Sequence, residues 1–318
     1  MSSMKIIAGL VAAVAATTWV VQSRHSSSTS SATVDRSDAS PRTPVASRQS
    51  TPPLGSGRLQ AQSALSPSGR LAQEATRSKN LREFVERAKQ RPTEGGIAYA
   101  VAAMHYCQHF MQMSANYSSL AAEVGRSQDG GTAARRLAAL NQLTAQCRDF
   151  TAAELGQAMS LRASGKWSDP ILQLQGRWFE YSRLTDDQRV ELVSATLAAK
   201  DPYLLHWLGP RIGQQQHNGE TIVYFDNQRF GGLETAADWW AAWSLVPCQF
   251  GEDCSASSDL TQLCVFDATC YPDRQALVRS KFAGREAEFN KVLTVAASLS
   301  DAVERGEARR FFKSPTRQ

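Results

Sequence analysis

Phe150-Thr151-Ala152-Ala153-Glu154-Leu155 contains every part of a helix start. The Thr151 hydroxyl can accept from an early backbone N–H, Glu154 can reach back to the Thr151 amide, and Phe150 can meet Leu155 across the first turn. Thr185-Asp186-Asp187-Gln188 repeats the box. Asp169-Pro170 and Asp201-Pro202 each offer an aspartate cap followed by proline at the first helical position, where its missing N–H costs nothing. These four independent helix starts argue for an all-α fold.

Upstream, Leu81, Phe84, Val85 and Ala88 fall at i, i+3, i+4 and i+7, the spacing of an amphipathic helix that Pro92 ends. The spacing predicts a further helix from Gly95-Gly96 to about Met113. Another runs from about Thr132 to Cys147, with Leu137, Leu140 and Leu143 on one side. Downstream, Thr221-Ile222-Val223-Tyr224-Phe225 is β-rich and lies between Asn218-Gly219 and Asp226-Asn227-Gln228, ahead of Arg229-Phe230-Gly231-Gly232. It reads as one small inserted β-hairpin. The helices around it stop at Gly213 and resume near Glu234, and the second carries Trp239, Trp240 and Trp243 before Pro247. No 34-residue period of tetratricopeptide type is present. The expected architecture is an array of antiparallel helical hairpins.

The 318-residue chain begins differently. After Lys5 the run Ile6 to Val21 is apolar except for Gly9, Thr17 and Thr18, so residues 1–22 read as an export signal or an N-terminal membrane anchor. Cleavage near Ala13-Val14-Ala15 and retention both fit. Residues 23–77 are rich in Ser, Thr, Pro and Arg and read as a disordered tether, because such a segment buries too little apolar surface to offset its ordering entropy. Residues 78–306 then form the helical domain, and 307–318, with Arg309-Arg310-Phe311-Phe312-Lys313, a basic tail. The net charge of +5 comes with no basic stripe interleaved with aromatic residues, so no nucleic-acid partner is expected.

There are six cysteines. Cys107 lies on the stripe of Ala100, Ala103, Met104 and Phe110 or Met111, and Cys147 continues that of Leu140, Leu143 and Thr144. Packed as neighbours, these helices would bring the two sulfurs together, and a bridge closing so long a loop contributes about 3–4 kcal/mol. Two reduced core thiols, or another cysteine as partner, are the alternatives. Cys248, Cys254, Cys264 and Cys270 leave five residues inside each outer pair, whereas zinc knuckles leave roughly two to four. Disulfides are expected, with the three connectivities that four cysteines allow all open. They would fasten the loop around Gly251 to a short helix near Leu260 to Val265.

Trp243-Ser244-Leu245-Val246-Pro247-Cys248, Gly251-Glu252-Asp253-Cys254 and the Cys264–Cys270 spacing together resemble a module of uncharacterised helical proteins exported by bacteria. The likeness spans about Leu233 to Leu277. It implies an envelope location and a disulfide-stapled helical fold, and no activity.

The candidate chemistry is sparse. His105 and His109 share a helix face, but Tyr106 stands where a zinc-protease helix needs its glutamate base, and Cys107 points about 200° away. His206, beside Trp207, reads as a core histidine, and His217 as a solvated residue of the Gln214-Gln215-Gln216 loop. Glu180, within Trp178-Phe179-Glu180-Tyr181, is the best candidate for a carboxyl group raised in an aromatic pocket, as glycan cleavage requires. No second carboxylate pairs with it. No cofactor or metal is implied. The expectation is a non-enzymatic periplasmic or cell-envelope module that binds or scaffolds another envelope protein, with the tryptophans contributing one or two rings to core and the rest to surface. A cell-wall glycan or peptide hydrolase using Glu180, or a secreted effector, is the alternative.

Overall fold

Capping chemistry sets the helix boundaries. Both boxes form in full, at Thr151 with Glu154 and at Thr185 with Gln188. Asp169 and Asp201 cap their helices through Ile171, Leu172 and Leu204 amides. The structure is a computed structural model that describes residues 65–313 except 115–116, 127–129, 218–219 and 256–257. The expected export signal or anchor, the expected tether as far as residue 64 and the last five residues therefore lie outside the described residues.

Seven helices form the first half: α1 (Pro67–Arg77), α2 (Leu81–Lys89), α3 (Gly96–Met113), α4 (Tyr117–Gly125), α5 (Gly130–Cys147), α6 (Ala152–Gly156) and α7 (Ala158–Gly165). The second half contains α8 (Pro170–Trp178), α9 (Asp186–Ala199), α10 (Pro202–Leu208), α11 (Gly232–Leu245), α12 (Ser258–Phe266), α13 (Arg274–Ser280) and α14 (Glu286–Arg305). Between α10 and α11 lies a three-stranded antiparallel sheet of β1 (Gln214–His217), β2 (Glu220–Phe225) and β3 (Gln228–Gly231), in the order β1-β2-β3. The fold is all-α with this insertion and three disulfides.

The β2–β3 turn is Asp226-Asn227, both with positive φ, 51° and 60°. A two-residue turn of that hand matches the twist of the flanking strands. The sheet exceeds the expected hairpin by one strand: Gln214 to His217, expected as loop, pair with Val223 to Glu220. Three glutamines and a histidine carry no β preference, so only the Asn218-Gly219 dipeptide, itself outside the described residues, signalled the strand.

Two apolar cores sit on either side of α3. One gathers Leu71, Phe84, Val85, Phe110, Leu140, Leu143, Leu155 and Val265. The other gathers Leu192, Leu197, Leu205, Trp239, Trp243, Phe289, Leu299 and Phe311. α3 supplies Ile97, Ala98 and Val101 to the second and Tyr99, Ala100, Met104 and Cys107 to the first. Leu137, expected beside Leu140 and Leu143, is instead 44% exposed.

Both domain boundaries move outward. Residues 67–77, expected as tether, form α1: Ser66 caps it by accepting from the Gly69 amide, Leu71 is fully buried, and Gly69 abuts Gly251. A side chain at Gly251, where φ is +116°, would also put its Cβ 2.7 Å from the Gly69 carbonyl oxygen. The basic tail is also part of the fold. Phe311 is fully buried, its ring centroid 5.0 Å from Phe225 and 6.0 Å from Trp243. Arg310 meets Asp226 at 2.6 Å, Glu307 at 3.1 Å and Asp301 at 3.2 Å. Composition hid both ends because one or two apolar residues decide each.

Phe311→Ala should lower unfolding free energy by about 3–5 kcal/mol, the range for emptying a buried phenylalanine site. Urea denaturation of variant and wild type measures it. An unchanged midpoint would return the tail to the solvent.

Candidate functional site

Two of the charged groups that the fold buries, Asp201 and Arg274, anchor neighbouring polar clusters. Asp201 ends the turn after α9, and its side chain is fully buried. One carboxylate oxygen accepts from the Leu204 amide at 2.7 Å and the other from the Tyr99 hydroxyl of α3 at 2.9 Å. Ser68 of α1 adds a third hydrogen bond. Burial pushes the Asp201 carboxyl up to about 6, against the pull of these donors. Burial, then the Asp201 charge, push the Tyr99 hydroxyl well above its ordinary value.

Next to it lies a second cluster. Arg274, the first residue of α13, is 1% exposed. Its Nη2 donates to Glu252 at 2.7 Å and to Asp259 at 2.6 Å. Its Nη1 donates to the second Glu252 oxygen and the Ser244 carbonyl, each at 3.3 Å, and lies 3.2 Å from His206 Nδ1. The Arg274 amide donates to the Cys254 carbonyl at 2.9 Å. Burial raises the Glu252 carboxyl, but the His206 imidazole and the Arg274 charge outweigh it and hold the group below its usual range. Burial opposes the Arg274 charge, and Glu252 and Asp259 outweigh that as well.

The cysteines explain why this arginine is needed. Cys107 joins Cys147 across a separation of 40 residues, from α3 to α5 as expected. Cys248 joins Cys254, and Cys264 joins Cys270, each six residues apart. Both pairings are local, so neither fastens the Gly251 loop to α12, contrary to expectation. Arg274 does that, holding Glu252 from the loop and Asp259 from the helix in one guanidinium.

Outward from this cluster, α10 presents aromatic groups. The Tyr203 ring packs against both cores, 5.9 Å from the Tyr99 ring and 6.4 Å from that of Trp207, measured between centroids. Trp207 is 51% exposed, and His206 faces solvent on one side and Arg274 on the other. His206 is thus the solvent edge of a polar cluster rather than a core residue.

The remaining candidates stand apart. Glu180 is exposed, next to a Phe179 that is itself 76% exposed, while Trp178 turns inward to stack on Tyr181. The aromatic pocket expected around it is absent, because Trp178 and Phe179 leave the helix in opposite directions. His105 is half-buried, with its pKa lowered by burial and then by the nearby Arg162 charge, whereas His109 is exposed. Among the described residues no group of three His, Cys, Asp or Glu side chains could hold a metal ion. His217 lies in β1. Trp239 and Trp243 are core and Trp240 is half-exposed, as the reading of that cluster anticipated.

Compared with protein-family models, curated proteins and solved structures, the chain matches none. Three disulfides point to an oxidising compartment outside the cytosol. No helix among the described residues is long and apolar enough to cross a membrane.

Arg274→Ala should destabilise by about 3–5 kcal/mol, since it strands Glu252 without its counter-charge. In a double-mutant cycle with Glu252→Gln the losses should fall well short of additive; additive losses would show the pair to be independent.

Asp201 allows a pH test. Its folded-state pKa lies above its ordinary value, so ionisation opposes folding, an effect absent below pH about 4 and complete above about 6. Asp201→Asn keeps a capping oxygen and removes that ionisation. The difference in stability between variant and wild type should shift in the variant's favour as pH rises through that window, by on the order of 3 kcal/mol. Denaturation midpoints at pH 4, 5, 6 and 7 read it, and a pH-independent difference would refute the assignment.

Proposed function

We propose that this protein is a non-enzymatic cell-envelope binding module that engages another envelope protein through the face around Trp207. The observation that carries the reading is an indole 51% exposed on α10, backed by Tyr203, which is wedged between both cores. Exposed tryptophan on a rigid base, bordered by tyrosine and charged groups, is the composition of residues that dominate binding energy at protein interfaces. A short helix pinned at Asp201 and backed by the Arg274 cluster keeps that ring in place at little entropic cost to a partner.

The three disulfides support a periplasmic or secreted location, as does the apolar stretch Ile6 to Val21, which serves as signal or anchor. The likeness of the cysteine module to exported bacterial helical proteins supports the same address. The hydrolase reading loses its footing with Glu180, whose exposed carboxylate has no aromatic enclosure. Glu252 is no substitute as an acid, because the His206 imidazole and the Arg274 charge hold its carboxyl below the usual range against the effect of burial.

A photoreactive residue at position 207, in the protein expressed in its own envelope, should yield one cross-linked protein that the same residue at position 304 does not. Trp207→Ala should weaken binding to that partner by about 30-fold, the effect of losing a hot-spot residue. Equal cross-linking at both positions, or a wall-degrading activity of the purified protein, would refute the proposal.

A further inference from the structure

We infer that the corner between α7 and α8 is a docking surface for an anionic lipid bilayer, whichever protein the Trp207 face engages. Met159, Arg162 and Lys166 follow at i, i+3 and i+7, and Lys166 keeps helical backbone angles beyond the end of α7, so the three share one face. Met159 is 57% exposed, Trp167 80% and Phe179 76%. The Arg162 guanidinium lies 5.9 Å from the centre of the Phe179 ring, and the Lys166 ammonium 5.0 Å from that of Trp167. The corner combines three exposed apolar side chains with two cations beside the rings.

Positive charge outweighs negative at this corner, where Arg162 and Lys166 face one exposed carboxylate, Glu180. Between Leu155 and Phe179 the sequence contains one carboxylate, Asp169, and the exposed Glu180 follows Phe179 at the edge of the corner. Asp169 is fully buried and accepts from the Ile171, Leu172 and Ala98 amides. Arg177 is paired with Glu191, whereas Arg162 donates only to the neutral Gln175 and Lys166 has no carboxylate among the described residues. The surface thus calls for negative charge from outside.

Rings this exposed stand above the surface, which favours a bilayer over a peptide. Tryptophan and phenylalanine partition into the headgroup region, and a flanking cation near an anionic surface strengthens binding by about fivefold each. The corner is also rigid. Gly165 packs against Ile97 and Leu172, and the Gln173 side-chain Nε2 donates to the Trp167 carbonyl at 2.8 Å. The rings can therefore enter the interface without the helix having to reorganise.

The test uses the full chain with Ser168→Cys as the one free thiol, labelled with an environment-sensitive fluorophore. It is mixed with vesicles of phosphatidylglycerol and phosphatidylethanolamine, or of phosphatidylcholine alone. Attachment through the N-terminal apolar stretch is common to both, so the probe reads the corner. A blue-shifted, several-fold rise in emission on the anionic vesicles is expected, much smaller on the neutral ones. Arg162→Glu with Lys166→Glu should abolish it, as should Trp167→Ala with Phe179→Ala, each with unfolding temperature unchanged. No rise on anionic vesicles, or an equal rise on both, would overturn the inference. So would a rise given by poly-glutamate and not by lipid, which would assign the corner to an acidic protein.

Discussion

Burial of α3 on both sides is the constraint from which the rest of the architecture follows. The first half of α3, from Gly96 to Met104, is apolar around its circumference and can be stable only with packing on each face, which two separate cores provide. Its first turn then has a problem, since the leading amides of a helix lack internal partners and here lie away from water. α3 begins at Gly95-Gly96, and neither residue has a side chain to cap it. The missing acceptor comes from another helix: one oxygen of Asp169 caps α8 while the other accepts from the Ala98 amide at 2.9 Å. Tyr99, one residue on, ties to Asp201, the cap of α10. The Cys107–Cys147 bridge holds the same helix further along.

Much of this was legible in sequence, and the capping residues show why. Thr151 with Glu154, and Thr185 with Gln188, satisfy groups within four residues of themselves, so the local chain contains all the information. The same two Asp-Pro pairs also reveal what sequence reading misses. Their near oxygens do what the motif predicts, while their far oxygens bond to α3, at sequence separations of 71 and 102. α1 and the Phe311 end went unrecognised for a related reason. Each is polar by composition and is held by single buried side chains, Leu71 and Phe311, whose partners lie far along the chain.

The candidate site was less legible still. The tryptophan cluster at 239 to 243 follows helix periodicity, so its division into core and surface could be read. Arg274 could not, because its carboxylates lie 15 and 22 residues away on other elements, α12 and the Gly251 loop, so no single helical period links them. His206 looked like a core residue because Leu204, Leu205 and Leu208 surround it in sequence, although it occupies the other face of the same short helix.

The disulfides and the ion cluster divide one task between them. Two bridges spanning six residues each constrain little of the unfolded chain compared with the bridge spanning 40. What the Cys248–Cys254 bridge does is stiffen the segment that brings Glu252 to Arg274. Glu252 sits inside the Cys248–Cys254 loop, and the Cys254 carbonyl itself accepts from the Arg274 amide. A buried arginine carries a desolvation cost that its partners repay only in good geometry. Fixing the Glu252 backbone beforehand lowers the entropy lost when that geometry forms. Oxidation of a loop and neutralisation of a buried charge are thereby coupled: with Cys248 and Cys254 reduced, the loop is freer and the same ion pair stabilises less. A bridge that cross-links no distant elements, Cys248–Cys254, thus acts at a distance through Arg274.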